Sequence, residues 1–344
     1  MNRLPKISVM MAAFNAAKYI QLSIESVLKQ TYGDWELIIV NDGSKDDTKS
    51  IATSFADHRI RYFENERNMG LAYTRNRLLQ LARGQYLAVL DSDDLARPER
   101  LEVESNFLNA HPDVGMVGGG IRMIDGNGAY TGVKWVFHDP CHRIPIILMF
   151  NNYFAHSTVM MRREAIPSEG YRVEYPPAED YDLWIRISQR WRVCNLRKVL
   201  ADYRVHDTNT SLSNLSRQAE AERRIFCDNL DTNFTGVFIP TEKELLFKLS
   251  HGRLGRDEAV ASFSDIFQLL KRLWTARLML SRTYRDGDFA IALLTLFYML
   301  LKHTKSRRSR PILRLFFTRI CTLRHRLFFC YWVIWRKFNY FWLN

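Results

Sequence analysis

The residues most suited to chemistry are the acids of Leu90-Asp91-Ser92-Asp93-Asp94, which close the apolar run Gln85-Tyr86-Leu87-Ala88-Val89-Leu90. Neighbouring carboxylates repel and resist desolvation, so three of them at the end of a buried strand need solvent, a cation or hydrogen-bond donors. A divalent cation compensates them most directly. Oxygen-only ligands suit Mn²⁺ or Mg²⁺, and a metal held by one or two carboxylates takes its other ligands from water and substrate phosphates. The triplet therefore reads as a metal–diphosphate site, although by itself it reads equally well as a cap for the helix that begins near Pro98. Two more acids stand in Pro176-Pro177-Ala178-Glu179-Asp180, at the first turn of a helix with Leu183, Trp184 and Ile187 on its apolar face. There a carboxylate either does chemistry or complements the helix dipole.

The elements that position these acids follow from hydrophobic patterning. Ile7 to Ala12 reads as a buried strand, Tyr19 to Gln30 as a helix, and Trp35 to Val40 as a second strand ending on Asn41-Asp42-Gly43-Ser44. Ser44-Lys45-Asp46-Asp47 has the spacing of a capping box for a helix to about Phe55. Strand Ile60 to Phe63, turn Asn68-Met69-Gly70, helix Leu71 to Ala82 and strand Tyr86 to Leu90 complete a βαβα series. That order predicts an α/β fold: a mostly parallel sheet with helices on both faces and ligands bound beyond the carboxyl ends of the strands. Phe14-Asn15, Asp42-Gly43 and Asp91-Ser92-Asp93 all lie at such ends. A G-x-G-x-x-G loop after the first strand is missing, as is a P-loop, which disfavours a dehydrogenase or P-loop nucleotidase.

Further on, a helix to about Asn109 precedes the Gly-rich strand Val114 to Gly120, whose glycines mark a bulge rather than a substrate approach. Ile121 to Thr131 reads as a hairpin, Ile144 to Phe150 as a short helix, Ser157 to Met161 and Val199 to His206 as strands. From about Ser213 the pattern turns helical, with helices predicted over Arg217 to Leu230, Glu242 to Ser250, Ile266 to Arg285 and Phe289 to Leu301. The expected division is a catalytic domain over 1–212, a helical extension over 213–288 and a basic, aromatic C-terminal region over 289–344.

Charge is concentrated in that last region. It carries eleven Lys and Arg and no Asp or Glu, against a net charge of +12 for all 344 residues, so the first 288 are close to neutral. Its cations alternate with rings such as Phe328, Trp332, Trp335 and Trp342, a mixture suited to an anionic membrane interface. The apolar run Phe289 to Leu301 would reach only about 20 Å as a helix, short of a roughly 30 Å bilayer core. Five scattered cysteines without a C-x-x-C pair indicate a reducing compartment and no zinc site. The N-terminus lacks a signal-peptide pattern, which predicts a chain that is not exported.

Taken together, Val9-Met10-Met11-Ala12-Ala13-Phe14-Asn15, Val40-Asn41-Asp42-Gly43-Ser44, Asn68-Met69-Gly70 with Arg75-Asn76, Leu90-Asp91-Ser92-Asp93-Asp94 and Glu179-Asp180 resemble the motifs of family 2 glycosyltransferases in order and spacing. The match covers roughly residues 5–212. His156 to His206 looks like bacterial enzymes that extend lipooligosaccharide and O-antigen chains.

The resemblance implies a GT-A fold and inverting transfer of a hexose or N-acetylhexosamine from a UDP-sugar to a glycan or lipid-linked acceptor. It implies stacking of the base on Phe14, base recognition by Asp42, contact of Arg75 with base and phosphates, and an Asp-x-Asp pair. In that pair Asp93 is the metal ligand and Asp91 reaches the ribose or a metal-bound water. Asp94 supports the loop. Asp180 is the implied general base, since inversion needs one carboxylate and the charged leaving group needs no protein acid. Glu179 and Trp184 are candidate acceptor contacts, and His206 a further metal ligand. From the residues alone, Phe14 reads as core and Arg75 as a surface charge. The expected location is cytoplasmic and peripheral, on the inner face of the cytoplasmic membrane through the tail. No nucleic acid is expected, although the same cations suit a non-catalytic membrane- or nucleic-acid-binding protein on a degenerate transferase fold.

Overall fold

Strand β1 (Ile7–Ala13) has no charged residue and is buried almost throughout, as a strand covered on both faces requires. The structure, a computed structural model, describes residues 4–137, 139–207, 209, 215–280, 288–290, 292, 293 and 296. β1 pairs in parallel with β2 (Trp35–Asn41) on one side and β4 (Tyr86–Val89) on the other, and β2 pairs in parallel with β3 (Ile60–Glu64). The crossovers are α1 (Ile20–Leu28), α2 (Thr48–Thr53) and α3 (Leu71–Leu81). The strand order 3-2-1-4 reverses direction at β1, which opens a crevice beyond the ends of β1 and β4.

Short β5 (Leu95–Ala96) leads to α4 (Arg100–Ala110), long β6 (Val114–Ile124) and its hairpin partner β7 (Tyr130–Trp135). After α5 (Ile144–Leu148) come β8 (Met160–Arg162), α6 (Glu179–Ser188) and β9 (Arg192–Arg204). β8 is antiparallel to β4 and to β6, whereas β6 and β9 run parallel, so the nine-stranded sheet is mixed beyond β4. The expected bulge is present. The β6–β9 register slips at Gly119 and Gly120, and a Cβ on Gly119 would lie 2.5 Å from Leu200 Cδ1.

Some local expectations are corrected. Ser44 caps no helix: its hydroxyl donates to Asn41 Oδ1 and accepts the Asn15 N–H, while α2 opens at Thr48, whose N–H and hydroxyl both donate to Asp46. The strand expected from Ser157 begins at Met160, because His156–Thr158 form a 3₁₀ turn. β9 starts seven residues before Val199, since β6 supplies a ladder that the polar Asn195–Lys198 stretch does not advertise. Cys141 and Cys194, 53 residues apart, form a disulfide, which corrects the expectation drawn from scattered cysteines. Cys227 is free, and Cys321 and Cys330 lie outside the described residues.

The chain divides into two compact units, Met1–Ile144 with Tyr153–Glu222, and Pro145–Asn152 with Arg223–Asn344, the boundary falling inside α7 (Leu215–Asn233). In the second unit, α8 (Pro240–Ser250), α9 (Arg256–Ala261) and α10 (Phe263–Ala276) follow. Ile266, Leu269, Leu270 and Leu273 recur at helical spacing and are buried with Phe226, Leu230, Phe234 and Leu246. α9 was not expected, and α10 ends at Ala276, within the helix predicted to Arg285. Among the described residues no helix is long and apolar enough to cross a membrane. The C-terminal helix predicted over Phe289 to Leu301, and the basic-aromatic tail beyond it, lie largely or wholly outside the described residues.

His251 sits in this helical core, 4.1 Å from the Phe247 ring, and burial lowers its pKa to about 4. The unfolded chain therefore binds a proton on this imidazole that the folded unit rejects, so stability is retained above about pH 6.5 and falls as the pH drops towards 4. A loss of roughly 2 kcal/mol between pH 7.5 and pH 5 is expected from this group. Thermal melts of the protein and of His251→Phe at both pH values check it: the substitution is expected to reduce the pH-dependent loss by that amount.

Candidate active site

Six acids, Asp42, Asp91, Asp93, Asp94, Glu179 and Asp180, stand at the carboxyl rim of the parallel strands and the start of α6, in different surroundings. Asp42, directly after β2, is buried and accepts three hydrogen bonds, from Asn65 Nδ2 (2.7 Å) and the backbone N–H groups of Met69 (2.8 Å) and Gly70 (3.0 Å). The next residue, Gly43, has φ +70°, and a Cβ there would meet the Arg67 carbonyl carbon at 2.6 Å. Only glycine fits this approach of two loops. Asp42 thus holds the Asn68-Met69-Gly70 turn, leaving its carboxylate little spare accepting capacity for a base.

Phe14 is 47% exposed on the adjoining loop and presents an open face. Asn15, in the left-handed region at φ 49°, fixes that loop by accepting the Lys45 N–H.

Beyond β4 the three aspartates diverge. Asp91 accepts from Ser157 Oγ (3.2 Å), contacts His156 Nδ1 at 3.1 Å through both oxygens and lies 3.4 Å from Arg75 Nη2. Desolvation opposes its ionisation, but His156 and Arg75 outweigh it and hold the carboxyl well below the usual range. Asp94 is fully buried and accepts the Arg204 N–H at 2.8 Å; burial, then Asp93 and Asp91, push its carboxyl well up. It supports the loop.

Asp93 faces His206, with Oδ2 3.0 Å from Nε2, and Asn209 Nδ2 at 3.4 Å. Burial and the Asp91 charge raise its pKa. Tyr19 packs on the His206 ring at 4.7 Å and on the Arg204 guanidinium at 4.7 Å, and Arg204 Nε donates to the Asp93 carbonyl. An imidazole nitrogen and a carboxylate oxygen are thus held side by side, two residues from Asp91. Among the described residues no three His, Cys, Asp or Glu side chains form a ready-made metal cage. The donor set fits a divalent cation that draws its other ligands from water and a diphosphate, and such a charge would relieve the crowding at Asp93.

At α6, Glu179 is completely buried and Asp180 partly exposed, its Oδ1 accepting the Tyr181 N–H. Burial raises the Glu179 pKa although Arg75 opposes it. Glu179 and Trp184, the candidate acceptor contacts, are both buried. Glu179 is taken by Arg75 at 2.5 Å, and Trp184 is wholly enclosed, with Phe154, His156 and Tyr171 as ring neighbours, so neither offers a face to a sugar. Arg75 is equally unlike the exposed charge its helix pattern suggests: it is buried. Patterning also passed over Tyr19, Asn65, Ser157, Arg204 and Asn209. Arg204 and His206 stand in one short run, Tyr203-Arg204-Val205-His206, but the others carry no local signal.

The turn-holding role of Asp42 is measurable without any ligand. Asp42→Ala removes three hydrogen bonds, leaving the Met69 N–H unpaired while Asn65 Nδ2 keeps Thr74 Oγ1 and the Gly70 N–H keeps Asn68 Oδ1, and is expected to destabilise the protein by on the order of 2 kcal/mol. Urea unfolding of the two proteins reads it directly.

Residues 8–168 match the family described as Glycosyl transferase family 2. Over 223 residues the chain is 37% identical to the putative glycosyltransferase EpsE of Bacillus subtilis, covering 63% of this chain and 78% of that protein. It is 36% identical over 224 residues to the O-antigen biosynthesis glycosyltransferase WbnJ of Escherichia coli, covering 62% of this chain and 85% of WbnJ. The fold is similar to that of S. aureus TarS 1-349, with a TM-score of 0.52 at 19% identity over 88% of this chain and 91% of that one. That likeness extends to the GT-A architecture, a Rossmann-like sheet with helices on both faces. Matched at these identities over most of the length of both relatives, the chain belongs to glycosyl transferase family 2 and is a glycosyltransferase.

Proposed function

We propose that this enzyme takes a hexose or N-acetylhexosamine from a UDP-sugar and passes it, with inversion, to a hydroxyl of a glycan acceptor used in building O-antigen, lipooligosaccharide or capsule. The observation that carries the reading is the Asp93–His206 pair, 3.0 Å apart at the same rim as Asp91, Phe14 and the partly exposed Asp180. WbnJ, by its name an O-antigen biosynthesis enzyme, supports the acceptor class.

In this reading the uracil lies on the open face of Phe14. Asp93 and His206 would hold Mn²⁺ or Mg²⁺, and that cation would supply positive charge to the departing phosphate oxygen. Asp180 accepts the proton of the acceptor hydroxyl as that oxygen bonds to the anomeric carbon, while the bond from that carbon to the diphosphate breaks and UDP leaves. One carboxylate base suffices for inversion. Asp91, held ionised by His156 and Arg75, adds negative charge that favours the cation. The tail, with eleven uncompensated Lys and Arg among aromatic rings, would draw the enzyme to a membrane surface by attraction to anionic lipid.

Calorimetry of UDP, with GDP and TDP as controls, tests the donor site. Binding of UDP that needs Mn²⁺ and falls at least about 30-fold in Asp93→Ala is expected; equal binding without metal would remove the basis of the reading. Asp180→Asn is expected to bind UDP normally and to lose on the order of 10²- to 10⁴-fold in turnover.

A further inference from the structure

Arg75 sits between two carboxylates that belong to different elements. Its Nη1 lies 2.5 Å from Glu179 Oε1, at the first residue of α6, and its Nη2 lies 3.4 Å from Asp91 Oδ1, just past β4. The same Nη2 approaches His156 Nδ1 at 3.3 Å, and the guanidinium lies over the Tyr171 ring at 5.6 Å. Each carboxylate precedes a residue to which the proposed function gives work: Asp180 follows Glu179 by one, and Asp93 follows Asp91 by two.

We infer that Arg75 is a positioning residue: it ties the start of α6, and with it Asp180, to the Asp91–Asp93 loop, and does not itself bind the nucleotide. The inference rests on the reading above, of Asp180 as base and Asp93 as the cation ligand.

Exposure and donor geometry both support the assignment. The Arg75 side chain is 9% exposed, Glu179 is 0% exposed, and Arg75 Nε is sealed from solvent without a partner. A diphosphate reaching the guanidinium would compete with two carboxylates already beside it. A planar fork can hold two carboxylates at once at fixed angles, which a single ammonium cannot. The base Asp180 and the donor-loop Asp93 sit on separate segments, 87 residues apart in sequence, and transfer demands that the acceptor oxygen meet the anomeric carbon within a fraction of an ångström. Glu179 Oε2 and Tyr171 Oη are buried without partners beside the bridge, so among the described residues Arg75 is the hydrogen-bond partner of the Glu179 carboxylate that also reaches Asp91.

The test uses the full-length protein and the variants Arg75→Lys, Arg75→Met, Glu179→Gln and the Arg75→Met/Glu179→Gln pair. UDP affinity in Mn²⁺ is measured by calorimetry, and UDP release from UDP-glucose, UDP-galactose, UDP-GlcNAc and UDP-GalNAc by a coupled assay. The expected result is UDP affinity and donor KM within about threefold of the parent, with turnover down about 100-fold, the scale of an ångström-sized misplacement. The paired variant is expected to lose no more than the worse single one, because the two residues act as a unit. Arg75→Lys is expected to fall almost as far as Arg75→Met, since charge without the fork does not bridge.

Loss of UDP affinity in the Arg75 variants, with Glu179→Gln unaffected, would overturn the inference and make Arg75 a nucleotide ligand. Full turnover in Arg75→Lys would overturn it too. A parent protein that neither binds UDP nor releases it from any of the four donors would instead overturn the donor reading, and the bridge with it. Circular dichroism melts above the assay temperature exclude unfolding as the source of lost turnover.

Discussion

Like charges do not gather in a protein unless something holds them, and this fold concentrates Asp42, Asp91, Asp93, Asp94 and Glu179 on one rim. Their donors differ. Backbone N–H groups of a turn hold Asp42, and a strand N–H reaches Asp94 Oδ1. His156, Ser157 and Arg75 hold Asp91, Arg75 also holds Glu179, and Asp93 faces His206 with Asn209 beside it. A buried carboxylate without such a partner would be neutralised or expelled. The rim is therefore a set of charges with different surroundings, and in the proposed function Asp93 is the one that would take a cation.

The sorting depends on the sheet. Parallel strands with a reversal at β1 bring the ends of β1, β2 and β4 to one edge, and the antiparallel β8 and the long β9 then deliver the His156 turn and the Arg204–His206 segment to that edge. Arg204 links the two halves through its N–H to Asp94, its guanidinium to the Asp93 carbonyl and its stacking on Tyr19. Family 2 glycosyltransferase chemistry needs a donor diphosphate and a base held at fixed separation, and that separation is set by pairings between distant segments.

Much of this was legible in the sequence. The βαβα alternation announced the parallel half of the sheet, the acids at strand ends announced the rim, and five motifs together identified the family. What the sequence hid was partnership. Nothing local distinguishes Arg75, four residues into an amphipathic helix, from a solvated arginine; only the fold brings Glu179 to it across 104 positions. Trp184 read as core, with sugar stacking as the alternative, and the fold buries it among Phe154, His156 and Tyr171. Cys141 and Cys194 looked unrelated because their pairing, like the early start of β9, is decided by a tertiary contact. Where the hydrophobic period or the turn chemistry was strong the elements fell where expected, and where a polar strand borrowed its ladder from a neighbour they did not.

The central claim is that the cation and the diphosphate meet at Asp93 and His206 while Arg75 stays on its two carboxylates. A crystal structure of the protein grown with UDP and Mn²⁺, with anomalous data collected at the manganese edge, tests it most directly. The account predicts one strong anomalous peak bonded to the Asp93 carboxylate, the His206 imidazole and diphosphate oxygens, with Arg75 still between Glu179 and Asp91. A manganese ion bound elsewhere, or Arg75 swung out onto the diphosphate, would contradict it.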